Sequence, residues 1–303
     1  MKSAAVGAMI ALAVSGGGRA EQKTFRAGVD LVNFGIFVTD RQGAPVTGLT
    51  AEDFEIIEGG KPQAIQFFVE GDPDEAPPLH LGFLLDTSGS MEADIKDVRT
   101  AAIRFLNSVE HAVDITLVDF DTEVRVARFG PNDQARLIER IRMRKPDGWT
   151  ALYDALGTYL AGANDQIGQK ILIMYTDGGD TRSSTTQSDV LDLLRASDVT
   201  VYAIGYLEHQ PSSAKMDQRI QLQRFAELTG GQAFFPYNLK DVDKVYEKIQ
   251  REIAARYSIG YTSTDLRTDG AWRRVEVRLK RPDLKGVKLR TRGGYFAPYR
   301  KTP

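Results

Sequence analysis

From Val32 the chain places apolar residues at every second position, Val32, Phe34, Ile36 and Val38. That is the period of a strand with one buried face. Turn chemistry follows at Asp40-Arg41-Gln42-Gly43. A second turn, Glu58-Gly59-Gly60-Lys61, marks a hairpin between Phe54-Glu55-Ile56 and Ile65-Gln66-Phe67. Residues 24–72 therefore read as a β segment. Residues 73–78, Pro73-Asp74-Glu75-Ala76-Pro77-Pro78, are acidic and proline-rich and read as a linker.

The pattern changes over 79–256. Short, continuous apolar runs (81–85, 115–120, 171–175 and 199–204) alternate with amphipathic stretches. Runs without polar alternation belong to strands buried on both faces, as in a parallel sheet covered by helices. One helical stripe is Ile95, Val98, Ala102, Leu106 and Val109. Another is Leu152, Ala155, Leu156 and Tyr159, and the last is Val242, Val245, Ile249 and Ile253. Residues 257–298 return to strand alternation, with Val275/Val277/Leu279 and Val287/Leu289 as faces. A segment of about 40 residues rarely buries a core alone, so the two flanks are expected to pair. The predicted fold is α/β: a doubly wound, mostly parallel sheet inserted between N- and C-terminal β segments that form a small β-sandwich-like module.

Composition narrows the function. The 303 residues are 42% hydrophobic and 26% charged, ordinary for a soluble protein with a real core. A formal net charge of -2 offers no overall field for nucleic acid. The absence of cysteine excludes disulfide scaffolds, thiolate metal sites and cysteine nucleophiles. The three histidines, His80, His111 and His209, are not at metal-ligand spacing. Lys2, the apolar run Ala4 to Val14 and Gly18-Arg19-Ala20 before Glu21 read as a signal peptide over 1–20. The run falls short of the ~20 apolar residues that span a bilayer. An exported protein is expected, periplasmic, cell-surface or secreted.

In a doubly wound sheet, ligands bind at the carboxyl ends of the strands. The first apolar run ends in Asp86-Thr87-Ser88-Gly89-Ser90-Met91, where a helix is expected to begin at once. Gly148-Trp149-Thr150 precedes another helix, and the run 171–175 ends in Thr176-Asp177-Gly178-Gly179. These loops offer carboxylates and hydroxyls, hard oxygen donors that suit Mg²⁺ or Ca²⁺.

Asp86-x-Ser88-x-Ser90, Thr150 and Asp177 resemble, in order, the metal-ion-dependent adhesion site of von Willebrand factor A domains. The resemblance implies that Ser88, Ser90 and Thr150 ligate the metal directly, and that Asp86 and Asp177 bind it directly or through water. It also implies a divalent ion (Mg²⁺, or Mn²⁺ or Ca²⁺) and a partner protein whose Asp or Glu carboxylate completes the coordination. The segment Val46-Thr47-Gly48-Leu49-Thr50-Ala51-Glu52-Asp53-Phe54-Glu55 and the ending Arg290-Thr291-Arg292-Gly293-Gly294-Tyr295-Phe296-Ala297-Pro298 are similar to secreted von Willebrand A-related proteins of acidobacteria. Trp149 departs from the pattern, standing where the family often has glycine.

Other stretches imitate enzymes without completing a site. Asp86-Thr87-Ser88-Gly89 has an extra serine relative to an aspartic-protease turn and no second copy. Val118-Asp119-Phe120-Asp121-Thr122-Glu123 suits a hairpin better than a phosphatase nucleophile loop. Ser183 and Ser184 have no histidine near them in sequence. Arg278, Lys280, Lys288, Arg290 and Arg292 recur at alternate positions and are expected to line a solvated strand face. The reading is a metal-dependent protein-binding module, not an enzyme. A metal-dependent hydrolase and a structural envelope protein without metal-dependent binding are the alternatives.

Overall fold

The computed structural model describes residues 31–71, 76–109, 111–208 and 210–299. The expected signal peptide, part of the linker and His209 lie outside the described residues. The amino-terminal flank contributes β1 (Leu31–Thr39), β2 (Phe54–Glu58), β3 (Lys61–Gln63) and β4 (Phe67–Glu70).

The central region follows with β5 (Leu79–Asp86), α1 (Ile95–Ser108), β6 (Ala112–Phe120), β7 (Val124–Phe129), α2 (Gln134–Met143) and α3 (Leu152–Ala163). It continues through β8 (Gln169–Thr176), α4 (Gln187–Ala196), β9 (Val199–Gly205), α5 (Ser212–Leu228), β10 (Gln232–Phe234) and α6 (Leu239–Ala254). The carboxyl-terminal flank adds β11 (Tyr257–Thr262), β12 (Trp272–Leu279), β13 (Lys288–Arg290) and β14 (Gly294–Phe296).

The central sheet has the order β10-β9-β8-β5-β6-β7. All pairs are parallel except β6 with β7, which form an antiparallel edge hairpin. Side chains alternate across it. Leu81, Phe83 and Leu85 join Val98, Leu137 and Ile249 on the face covered by α1, α2 and α6. Leu84, Leu172 and Met174 join Leu156, Val190 and Phe225 under α3, α4 and α5. Burial on both faces explains why these strands carry no polar alternation. Gly82 in β5 leaves room for Tyr159, whose ring would lie 2.3 Å from an added Cβ.

The flanks build two antiparallel sheets, β13-β1-β11-β4 and β14-β12-β2-β3. Each sheet mixes strands from both ends of the chain. Val32, Phe34, Ile36 and Val38 of β1 share one core with Phe54, Ile56, Tyr257, Ile259, Val275 and Val277. The other face of β1 presents Phe37, which packs edge-on to Tyr202 of β9 with ring centroids 6.0 Å apart.

Three local expectations change. The turn at Gly59-Gly60 pairs β2 with the three-residue β3, whereas Phe67 onward crosses to the other sheet and pairs with β11. The crossing places Phe68 against Phe54 and Tyr257, at 5.8 and 5.7 Å between centroids. The helix expected directly after Ser90 is a short 3-10 turn, Gly89–Met91, with α1 starting at Ile95. Arg290 and Arg292 do not line a solvated face. Arg290 reaches the buried Glu252 at 2.5 Å, and Arg292 lies over the Phe34 ring and donates to Asn33 O.

Candidate metal centre

The Asp86 loop begins where β5 leaves the sheet, next to the ends of β6 and β8. Asp86 is fully buried. Its Oδ1 accepts the Ser88 N–H at 2.9 Å and its Oδ2 accepts the Thr176 hydroxyl at 2.6 Å. Thr87 faces away from the loop mouth and closes onto Phe120 O through both its N–H (2.7 Å) and its hydroxyl (2.9 Å). Ser88 and Ser90 turn to the same side, with their hydroxyl oxygens 3.1 Å apart. Ser88 is buried and Ser90 exposed. One carboxylate below and two hydroxyls above is a local consequence of the turn.

Two further loops are fastened to this one. Gly89 N–H donates to Gly148 O at 3.2 Å, and Asp147 N–H donates to Thr87 O at 3.0 Å. Gly148 takes a positive φ of 72°, and an added Cβ would lie 2.4 Å from Thr122 Oγ1. Only glycine meets both demands without strain. Thr150 follows, its N–H held by Thr181 Oγ1 at 3.0 Å and its carbonyl accepting from Thr181 N–H and Arg182 N–H. The 178–186 loop is in turn pinned to α3, where Asp154 accepts the N–H groups of Ser184 (3.0 Å) and Thr185 (2.9 Å). Ser183 is absorbed in the same way, donating to Asp180 at 2.6 Å.

Asp177 directly follows Thr176, the last residue of β8, and is buried. Its Oδ1 accepts Gly179 N–H at 3.2 Å and its Oδ2 accepts the Gln210 amide at 2.7 Å. Burial, followed by the neighbouring charge of Asp177, pushes the Asp86 carboxyl up to about 7, against the hydrogen bonds from Ser88 and Thr176. Both carboxylates are buried and the charge of Asp177 acts on Asp86; among the described residues neither is ion-paired with a cationic side chain. Among the described residues, no group of three or more His, Asp or Glu side chains is placed to hold a metal, so any cation here would draw on hydroxyls for the rest of its shell.

The structure brings the loops bearing Asp86, Ser88, Ser90, Thr150 and Asp177 together at the carboxyl edge of the sheet. Thr176 and Gln210 escaped the sequence reading. Thr176 had a signal in its adjacency to Asp177, and Gln210 had none, because it arrives from the β9–α5 connection. Trp149 is 64% exposed at the rim, its backbone N–H held by Thr122 Oγ1 at 2.9 Å. Asp119 lies under three arginines, Arg125, Arg140 and Arg144, at 3.6, 2.8 and 3.1 Å. It is a buried anchor of the hairpin.

Comparison with known proteins agrees with this topology. A Bacillus subtilis protein called only uncharacterized protein YwmC is 24% identical over 192 residues, which span 56% of this chain and 82% of that one. The solved von Willebrand factor type A structure from Catenulispora acidiphila superposes with a TM-score of 0.50 at 13% identity, covering 91% of this chain and 76% of that one. The open form of the pilus adhesin SpaC from Lactobacillus rhamnosus GG gives 0.50 at 12% identity, covering 84% of this chain and 49% of that one. The family model for the von Willebrand factor type A domain matches residues 80–252, from the start of the central sheet to the end of its last helix. The chain belongs to the von Willebrand factor type A domain family.

Proposed function

We propose that this protein is an exported binding module that uses a divalent cation to grip a carboxylate on a partner protein. Ser88, Ser90 and Thr150 would hold the ion through their hydroxyls, with Asp86 and Asp177 contributing charge directly or through water. The observation that carries the reading is the pair of hydroxyls at 3.1 Å beside two mutually repelling buried carboxylates. Adjacent ligands of an octahedral ion bound at ~2.1 Å lie about 3.0 Å apart. The donor set therefore fits Mg²⁺ or Mn²⁺, and Ca²⁺ with its longer bonds is also an oxygen-ligand ion. A cation bound there supplies a Lewis-acid position for a foreign Asp or Glu.

The chain's own residues do the rest. Asp86 and Asp177 offset the ion's charge, so an incoming carboxylate is attracted by a near-neutral site rather than repelled. The hydrogen bonds among the three loops hold the donors before the partner arrives, which lowers the ordering cost of binding. The loops at 121–124, 148–149 and 178–186 surround the grip and would set specificity. Among the described residues no helix is long and apolar enough to cross a membrane.

Isothermal titration with Mg²⁺ and Mn²⁺ tests the reading, with Asp86→Ala as control, alongside pull-down from an envelope extract with and without chelator. Saturable ion binding lost in Asp86→Ala, with chelator-sensitive capture, is expected. Capture that ignores chelator, or equal ion binding by the variant, defeats it.

A further inference from the structure

Away from the strand ends, the flank of α1 carries an unusual set of charges. Lys96, Arg99, Thr100, Ile103 and Arg104 stand at i, i+3, i+4, i+7 and i+8 of the helix and so share one face. With Arg142 from the last turn of α2 they line a cleft of about 350 Å³, within the lower range of small-ligand sites.

The charges in this cleft are not neutralised from within. Arg104 is paired with Asp243 of α6 at 2.7 Å. Among the described residues, Lys96, Arg99 and Arg142 have no ion pair. Nε and Nη2 of Arg99 are shielded from solvent and meet no hydrogen-bond acceptor. Burial lowers the pKa of this guanidinium from its ordinary value. A shielded N–H without an acceptor is destabilising, and like charges one helical turn apart add repulsion. The protein's overall charge of -2 does not account for such a concentration of cations.

We propose that the cleft between α1 and α2 is an oxyanion site for a phosphate-bearing ligand, held by the cationic side chains of Lys96, Arg99 and Arg142 that line it. A guanidinium presents two parallel N–H groups that match two oxygens of one phosphate. Three unpaired cations favour a multiply charged tetrahedral ion over a single carboxylate. Thr100 already donates its hydroxyl to Lys96 O at 2.8 Å, so it adds no further donor. The site is separate from the cluster around Asp86 and needs no metal.

Isothermal titration in about 0.15 M salt, where the Debye length is ~8 Å, tests it with pyrophosphate and inorganic phosphate. Chelator is present throughout, so the result is independent of the cation reading. A second arm measures co-sedimentation with phosphatidylcholine vesicles, with and without phosphatidylglycerol. This arm separates a lipid phosphate from a free one. Saturable binding in either arm, weakened at least tenfold in Arg99→Gln and in the double variant Lys96→Gln/Arg142→Gln, is expected. The surface double variant should keep the wild-type melting curve, so its loss of binding cannot be blamed on unfolding. Absence of saturable binding in both arms, or equal binding by wild type and the double variant, overturns the proposal.

Discussion

Thr176 donates a 2.6 Å hydrogen bond from its hydroxyl to Asp86 Oδ2, tying the end of β8 to the end of β5. Thr176 Oγ1 also accepts the Gly178 N–H at 3.0 Å, so one side chain sets both the Asp86 carboxylate and the turn that carries Asp177. Residues that orient metal ligands typically change affinity by about 10–100-fold when lost. Thr176→Val should therefore weaken Mg²⁺ binding at least tenfold while leaving the fold intact. Titration calorimetry reads the change, and unaltered affinity would show that Asp86 is held without Thr176.

Asp86→Asn separates stability from ion binding. It removes one of two buried like charges, and its amide can still hydrogen bond to Thr176. Without divalent ions the variant should melt about 2–4 °C higher, the shift that ~1 kcal/mol produces in a chain of this size. Added Mg²⁺ should stabilise the wild type and not the variant. Thermal denaturation with and without the ion decides it; a lower melting point for the ion-free variant contradicts the repulsion between Asp86 and Asp177.

Trp149 and Gly148 are neighbours with different expected effects. Trp149 is 64% exposed and holds none of the site's oxygens, so Trp149→Ala should keep ion affinity. A tryptophan that is exposed in the free protein and buried on binding contributes about 2 kcal/mol or more, and partner capture should fall accordingly. Gly148→Ala forces a Cβ into Thr122 at a positive φ and should weaken ion binding as well. Equal effects of the two substitutions on ion affinity would refute this division of roles.

Glu252 tests how the sandwich is fastened to the central domain. It is buried, accepts the Tyr202 hydroxyl at 3.0 Å and meets Arg290 at 2.5 Å. Removing one partner of a buried pair costs about 3–5 kcal/mol. Glu252→Ala should lower stability by that order in urea melts, with Glu252→Gln losing less because it still accepts from Arg290. A Glu252→Ala melt equal to wild type would mean that Phe37 and its surroundings hold the two parts alone.

Periodicity determined much of this molecule. Apolar runs buried on two faces and stripes at helical spacing specify a helix-covered parallel sheet, because each pattern satisfies only one kind of burial. The order Asp86, Ser88, Ser90, Thr150 and Asp177 was equally readable, since each residue sits where a strand or loop meets a helix. Tertiary structure decided what depends on segments far apart in sequence. It sent Phe67–Glu70 to β11 rather than back onto β2, where Phe68 packs against Phe54 and Tyr257. It drew Arg290 and Arg292 out of solvent onto Glu252 and Phe34, partners 38 and 258 residues away. It also set Gln210 against Asp177 and left Nε and Nη2 of Arg99 without an acceptor. Such pairings carry no periodic signal: they arise when surfaces meet, and a linear pattern records only which face of each element is apolar.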